Sequence, residues 1–153
     1  MKHEEIKASQ RELAREYEDC NPSEVTEVFW LYAERTDDDY PDTSERSGKY
    51  LLYVAVAGID EVWQKIRVAT EKGLLGGASK VATSRPNRRA KNDRSRVICV
   101  YTYDGKDEPD RLRVRKELRK LGFEAKIPYK FDSQTMAGEY ATDGKRRVSK
   151  YYE

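Results

Sequence analysis

The chain has 153 residues, enough for one domain, and its 30 Lys and Arg nearly balance its 28 Asp and Glu. Hydrophobic residues make up only 37 % and charged residues 38 %, against a usual charged share of ~25 %. A net charge of only +2, with eleven Tyr and two Trp to bury, excludes a disordered chain and predicts a folded domain with a thin core.

Other kinds of protein are excluded because their sequence signatures are absent. No apolar run approaches the ~20 residues of a membrane helix, and residues 1–5 contain no apolar signal segment. One His and two Cys without a CxxC pair do not form an ordinary zinc site. We therefore expect a cytoplasmic protein with no membrane partner, no metal and no cofactor.

The sequence predicts helices and a loop in the N-terminal part of the chain. Residues 3–19 have a weak apolar stripe, which predicts a polar helix, and residues 1–20 are expected to extend a single domain at 21–153. The next apolar residues recur at helical spacing and predict a second, short helix: Val25, Val28, Phe29 and Tyr32. The acid-rich stretch 34–47 predicts a solvated loop.

From Gly48 the pattern changes to strands and longer helices. Residues 49–57 form a β-rich apolar run, and helices are predicted from Asp60 to Gly73 and from Pro109 to Gly122. The other predicted strands are 78–83, 96–103, 125–131 and 147–152. The helix after Pro109 is expected to turn Leu112, Val114, Leu118 and Leu121 inward, and Arg111 to Lys120 are expected to include its solvated face. These elements predict an α+β fold, a curved and mostly antiparallel sheet with helices packed on one face.

The loop between the second and third predicted strands has the densest positive charge. Over residues 79–96 only Asp93 opposes seven cations, which are Lys80, Arg85, Arg88, Arg89, Lys91, Arg94 and Arg96. Arg offers a planar bidentate fork and Lys a point charge, so this loop can surround a phosphate. A solvated, flexible loop is the alternative. Residues 145–152 contain a second basic cluster interleaved with Tyr, which suits nucleic-acid stacking as well as simple solubility.

Lysines and aromatic residues inside the predicted elements raise further hypotheses. Lys49 opens the first strand and Lys80 lies inside the second, where a Lys must reach water or an anion. A Lys desolvated beside other cations has a lowered pKa and can act as a base; an outward-facing position is the alternative. Trp30 and Trp63 could stack on a base, but the helical pattern around Trp63 predicts core packing, and Trp30 is left open.

An ordered series of sequence blocks resembles a known family. The blocks are WLYAERT at 30–36, YP at 40–41, GKYLLYV at 48–54, IDEVWQKI at 59–66, ASKVAT at 78–83, VICVYTYD at 97–104, LRKLGF at 118–123, PYK at 128–130 and TMAGEY at 135–140. Together they resemble the BLES-type family of uncharacterised proteins of archaea and eukaryotes, over roughly residues 28–153.

The resemblance implies a fold like that of translation initiation factor 4E, the messenger cap-binding protein. In that relative, basic residues after a central strand contact the cap phosphates and two Trp rings sandwich the base. Residues 85–96 resemble the phosphate half, whereas Trp63 departs from the stacking half because it belongs to the predicted helix core.

Members of the family are also labelled phosphothreonine lyases, which remove phosphate by β-elimination with a Lys base and a His acid. The resemblance makes Lys80 the catalytic base and adds Tyr101 and Lys130 as phosphate contacts. At the position of the acid this sequence has Leu51 or Leu52. Without an acid, the reaction would lose a rate enhancement of roughly 10²–10⁴-fold.

The combined prediction is a domain that binds a phosphorylated ligand, RNA or a nucleotide end before a phosphopeptide, in a cationic pocket of the first three strands. The expected phosphate-binding residues are Lys49, Arg85, Arg94, Arg96, Tyr101 and Lys130. Further expected nucleic-acid contacts are Arg88, Arg89, Lys91, Arg146 and Arg147. The alternatives are a lyase with Lys80 as base and a protein-interaction module that uses the 34–47 loop and exposed Tyr residues.

Overall fold

The computed structural model describes residues 3–86, 94–133 and 151–153. Its three α-helices are α1 (His3–Ala14), α2 (Ile59–Glu71) and α3 (Glu108–Lys120). Its six strands are β1 (Trp30–Glu34), β2 (Gly48–Ala55), β3 (Ala78–Ala82), β4 (Ser95–Thr102), β5 (Pro128–Phe131) and β6 (Tyr151–Tyr152). The predicted α+β class is confirmed.

All six strands form one curved sheet in the order β1-β3-β4-β2-β5-β6, and every neighbouring pair is antiparallel. The longest pairing joins β2 to β4 along their whole lengths, from Gly48 opposite Thr102 to Ala55 opposite Ser95. The hairpin of β3 and β4 therefore lies between β1 and β2, which are consecutive along the chain.

The core lies between the helices and one face of the sheet. Because side chains alternate along a strand, every second residue of the sheet faces the helices. The largest fully buried side chains from the strands and helices include Tyr50, Leu52, Ile98, Ile66 and Leu118. This shared cluster confirms that the helices pack on one face.

Trp63 belongs to this core, as the sequence predicted. It lies on α2 with Ile59 and Ile66, which are also buried. Its ring is therefore committed to packing and is not available to stack on a ligand.

The predicted helix after residue 21 is wrong. Only a 3-10 turn at Pro22–Glu24 forms there, and the chain then runs as a strand, β1, from Trp30. Leu31 and Ala33 of this strand are buried, while its other residues are not. The apolar spacing fits either structure locally, and the hydrogen-bonded ladder with β3 decides in favour of a strand.

The prediction for the face of α3 is also wrong in part. Leu112 is exposed, whereas Arg111 and Arg115 are buried. The Nε of Arg111 donates to a carboxylate oxygen of Glu153 at 2.8 Å, and its guanidinium lies 3.7 Å from the Tyr151 ring centroid. The Nε of Arg115 donates to the Glu153 carbonyl at 2.8 Å. These arginines are buried because they fasten residues 151–153 to α3.

Gly76 provides a test of how closely the loop before β3 packs on β4. A β-carbon built on Gly76 would overlap the carbonyl oxygen of Tyr101, which is backbone and has little room to move. We expect Gly76→Ala to lower the free energy of unfolding by about 1–3 kcal/mol, as other overpacking substitutions do. Urea denaturation measures this difference.

The matched control is Gly58→Ala, because no heavy atom lies within 4 Å of a β-carbon built on Gly58. Its stability should stay within about 0.5 kcal/mol of the unchanged chain. Equal urea midpoints for the two variants would contradict the close approach of Gly76 to Tyr101.

Candidate functional site

The side of the sheet away from the helices carries three lysines from three different strands. Lys49 of β2 has buried neighbours on both sides, and so does Lys80 of β3. Since adjacent strand residues point to opposite faces, both ammonium groups lie on the face opposite the helices. Lys130 of β5 is the direct cross-strand partner of Lys49 and shares that face. We call the surface formed by Lys49, Lys80, Lys130, Cys99 and Tyr101 the lysine face.

Tyr101 lies at the centre of the lysine face. It is the cross-strand partner of Lys49 on β4. The Nζ of Lys49 lies 5.5 Å, and that of Lys80 6.0 Å, from the centroid of its ring. Burial raises the pKa of the Tyr101 phenol, and the neighbouring Cys99 and Asp132 raise it further. The phenol therefore keeps its proton at neutral pH and can donate a hydrogen bond.

Asp132 brings a carboxylate to this face directly after β5. Its Oδ1 lies 2.7 Å from the Nζ of Lys49, whose side chain is only 11 % exposed. Its Oδ2 accepts a hydrogen bond from the Ser47 hydroxyl at 2.8 Å. A largely buried ammonium group needs such an anion. The sequence analysis did not predict Asp132 as a site residue. Its position directly after the predicted strand of Lys130 could have indicated it.

Trp30, which the sequence left open, also reaches the lysine face. Trp30 is the first residue of β1, the strand that pairs with β3. Tyr32 of β1 is the direct cross-strand partner of Lys80. The Nζ of Lys80 lies 3.9 Å from the centroid of the Trp30 ring. This cation–π contact contributes about 0.5–2 kcal/mol and fixes the direction of the Lys80 side chain.

Cys99 is buried between the lysines, and it is the cross-strand partner of both Lys80 and Leu51. Burial raises the pKa of its thiol, against the opposing effect of Lys80 and Lys49. Cys20, the other cysteine, is exposed, and both are free thiols.

The arginines predicted to hold phosphate do not join the lysines. The Nη1 of Arg85 donates to the Glu27 carbonyl at 2.7 Å, and its guanidinium lies 4.3 Å from the Phe29 ring centroid. The Nε of Arg96 donates to the Thr83 carbonyl at 3.2 Å.

Arg96 is also paired with Val54, which packs against the core, so it lies on the helix side of the sheet. Arg94 is exposed before β4. The predicted contacts Arg88, Arg89, Lys91, Arg146 and Arg147 lie outside the described residues. Of the expected phosphate-binding set, the structure thus brings together Lys49, Tyr101 and Lys130, and Lys80 with them.

The two positions considered for a lyase acid lie on opposite sides of β2. Leu52 is buried in the core, and Leu51 faces the lysine side opposite Cys99. The single His of the sequence is His3, in α1. Within residues 3–86, 94–133 and 151–153, no group of three or more His, Cys, Asp or Glu side chains could hold a metal ion. No helix in these ranges is long and apolar enough to cross a membrane.

Fold and site together define an α+β domain whose antiparallel sheet is covered by helices on one face and carries lysines on the other. Residues 4–136 match the model of the family described as basophilic leukemia-expressed protein Bles03, and the chain belongs to this family. The matched range contains β1 to β5 and every residue of the lysine face. The family resemblance read from the ordered sequence blocks is thereby confirmed.

Cysteine alkylation tests the burial of the lysine face. We expect iodoacetamide to modify Cys20 rapidly and Cys99 slowly at neutral pH, because Cys99 is buried and its raised pKa leaves little thiolate to react. Peptide mass spectrometry gives both rates in one sample, with Cys20 as the internal control. In denaturant the two rates should converge. Equal rates in the folded protein would contradict the burial of Cys99.

Proposed function

We propose that this chain binds a phosphate-bearing ligand on its lysine face, and that the ligand is a nucleotide or the phosphorylated end of an RNA. The observation that carries the proposal is that Lys49 and Lys80 meet at Tyr101, and that Lys130 lies directly opposite Lys49, although the three lysines come from strands far apart in sequence. No short sequence motif creates this cluster, since it arises only when the strands pair.

The electrostatics of the cluster favour an anion with more than one negative charge. Lys49 and Lys130 are directly opposed across β2 and β5, and like charges in that relation repel each other. Asp132 offsets part of this charge, because its Oδ1 lies 2.7 Å from the Nζ of Lys49. A phosphate dianion beside Tyr101 is attracted by Lys49 and Lys80 together, and the Tyr101 phenol can donate to one of its oxygens.

The aromatic rings beside the cations favour a nucleotide over a phosphopeptide. Trp30 and Tyr32 lie on the strand next to Lys80, on the same side of the sheet. Aromatic rings next to cations suit the stacking of bases beside a bound backbone. The fold like that of translation initiation factor 4E, which the sequence resemblance implies, favours a nucleotide as well, and we propose that strand lysines hold the phosphate instead of residues 85–96.

Lysine substitutions with a salt titration test this function. Lys49→Gln and Lys80→Gln should each weaken binding of a terminally phosphorylated, fluorescein-labelled oligouridylate about 10- to 100-fold, the range for a charged hydrogen bond. Each should also reduce the slope of log K against log salt by about 0.7, since one phosphate contact is lost. Fluorescence anisotropy measures both quantities.

The matched control is Lys120→Gln, because this lysine lies on α3 and is 61 % exposed. It should leave affinity and salt slope unchanged. Urea midpoints of all variants separate lost binding from lost stability, since Lys80 also packs on Trp30. A flat salt response, or stronger competition by a phosphothreonine peptide than by the oligouridylate, would contradict the proposal.

Incubation with a phosphothreonine peptide tests the lyase alternative. In β-elimination a base takes the α-proton, a double bond forms between Cα and Cβ, and phosphate leaves with a proton from an acid. Lys80 lies where a base could work, but β2 has no His, and the raised pKa of Tyr101 keeps its proton in place. We expect no dehydrated peptide by mass spectrometry. Its accumulation, with loss on Lys80→Gln, would establish the lyase.

A further inference from the structure

Two exposed tyrosines lie on the same side of the sheet as the lysines. Tyr53 is 65 % exposed and Tyr152 is 64 % exposed, the highest values among the large hydrophobic residues described. Tyr53 is four residues after Lys49 on β2, so alternation directs both side chains to one face. Tyr152 is paired with Pro128, which lies two residues before Lys130 on β5 and shares its face.

The two tyrosines share the side of the sheet that carries the lysine face, and β5 lies between the strands that hold them. The pKa of the Tyr53 phenol is raised, first by partial loss of water and then by the nearby Cys99 thiol and Tyr152 phenol. Cys99 belongs to the lysine face, so the aromatic surface and the cations are continuous. The other exposed large hydrophobics are aliphatic and belong to the helices or the loop after α2: Leu13, Val68, Leu74 and Leu112.

The separation of the two surfaces indicates the size of the ligand. Four residues along a strand span about 13 Å, which is the approximate distance from the backbone of Lys49 to that of Tyr53. Tyr152 lies closer to the lysines, because its partner Pro128 is only two residues before Lys130. The two rings lie on different strands and each can stack on one base, so a ligand that contacts both contains at least two linked nucleotides.

We propose that Tyr53 and Tyr152 form a stacking platform for the bases of a single-stranded nucleic acid whose terminal phosphate lies among Lys49, Lys80 and Lys130. The inference rests on the proposed function, and it adds that the ligand is single-stranded and contains at least two nucleotides. Two flat rings exposed beside a cationic cluster have the chemistry that single strands require, since every base presents a face for stacking. The platform accepts any base sequence, and the lysines fix the end of the strand.

Tyrosine substitutions test the platform apart from the lysines. Tyr53→Ala and Tyr152→Ala should each weaken binding of the phosphorylated oligouridylate about 5- to 100-fold, the range for one stacked base. Their salt slopes should stay unchanged, because no charge is removed. Tyr53→Phe keeps the ring and should retain binding. Affinity for uridine monophosphate should not change in Tyr53→Ala, because the backbone of Tyr53 lies about 13 Å from that of Lys49 along β2.

The control substitution is Leu74→Ala, which removes an exposed side chain from the loop after α2 and should have no effect. Unchanged oligouridylate affinity in both Ala variants would overturn the platform and leave the lysine site standing. An equal loss for oligouridylate and uridine monophosphate in Tyr53→Ala would also overturn it, since Tyr53 would then act on the phosphate site. If the unchanged chain binds neither probe, the proposed function itself fails.

Discussion

The antiparallel pairing of β2 with β4 is the constraint on which both the core and the lysine face depend. Along this pair, Tyr50 enters the core while its neighbour Lys49 points to the opposite side. On β4, Val100 likewise faces the core, and its neighbour Tyr101 faces the opposite side. A slip of one residue would exchange the two faces, and lysines would enter the helix-packed core. The burial of Tyr50 and Val100 therefore sets the register that gathers the lysines.

The two faces use their charged residues in different ways. On the helix side, Arg111 and Arg115 are buried against Glu153 and fasten β6 to α3, which is a structural role. On the other side, the ammonium groups lie beside rings, a thiol and the Asp132 carboxylate.

The sequence predicts well what depends on local periodicity. The central strands, the α2 core face with Trp63 and the placement of Lys49 and Lys80 in strands follow from alternation and helical spacing. Features that depend on distant partners could not be predicted. Lys49 meets Asp132 across 83 residues, and Arg111 meets Glu153 across 42. The strand at Trp30 depends likewise on its ladder with β3, because its apolar residues fit helical spacing equally well.

Nuclear magnetic resonance of the lysine side chains tests directly whether a phosphate binds at the lysine face. The ε-methylene signals of each lysine can be followed while uridine monophosphate is added to the full chain. We expect the signals of Lys49, Lys80 and Lys130 to shift together with one dissociation constant, while those of Lys65, Lys72 and Lys120, which are exposed on the helix side, stay in place. Shifts confined to the helix-side lysines, or no shift at saturating nucleotide, would contradict a phosphate site on the lysine face.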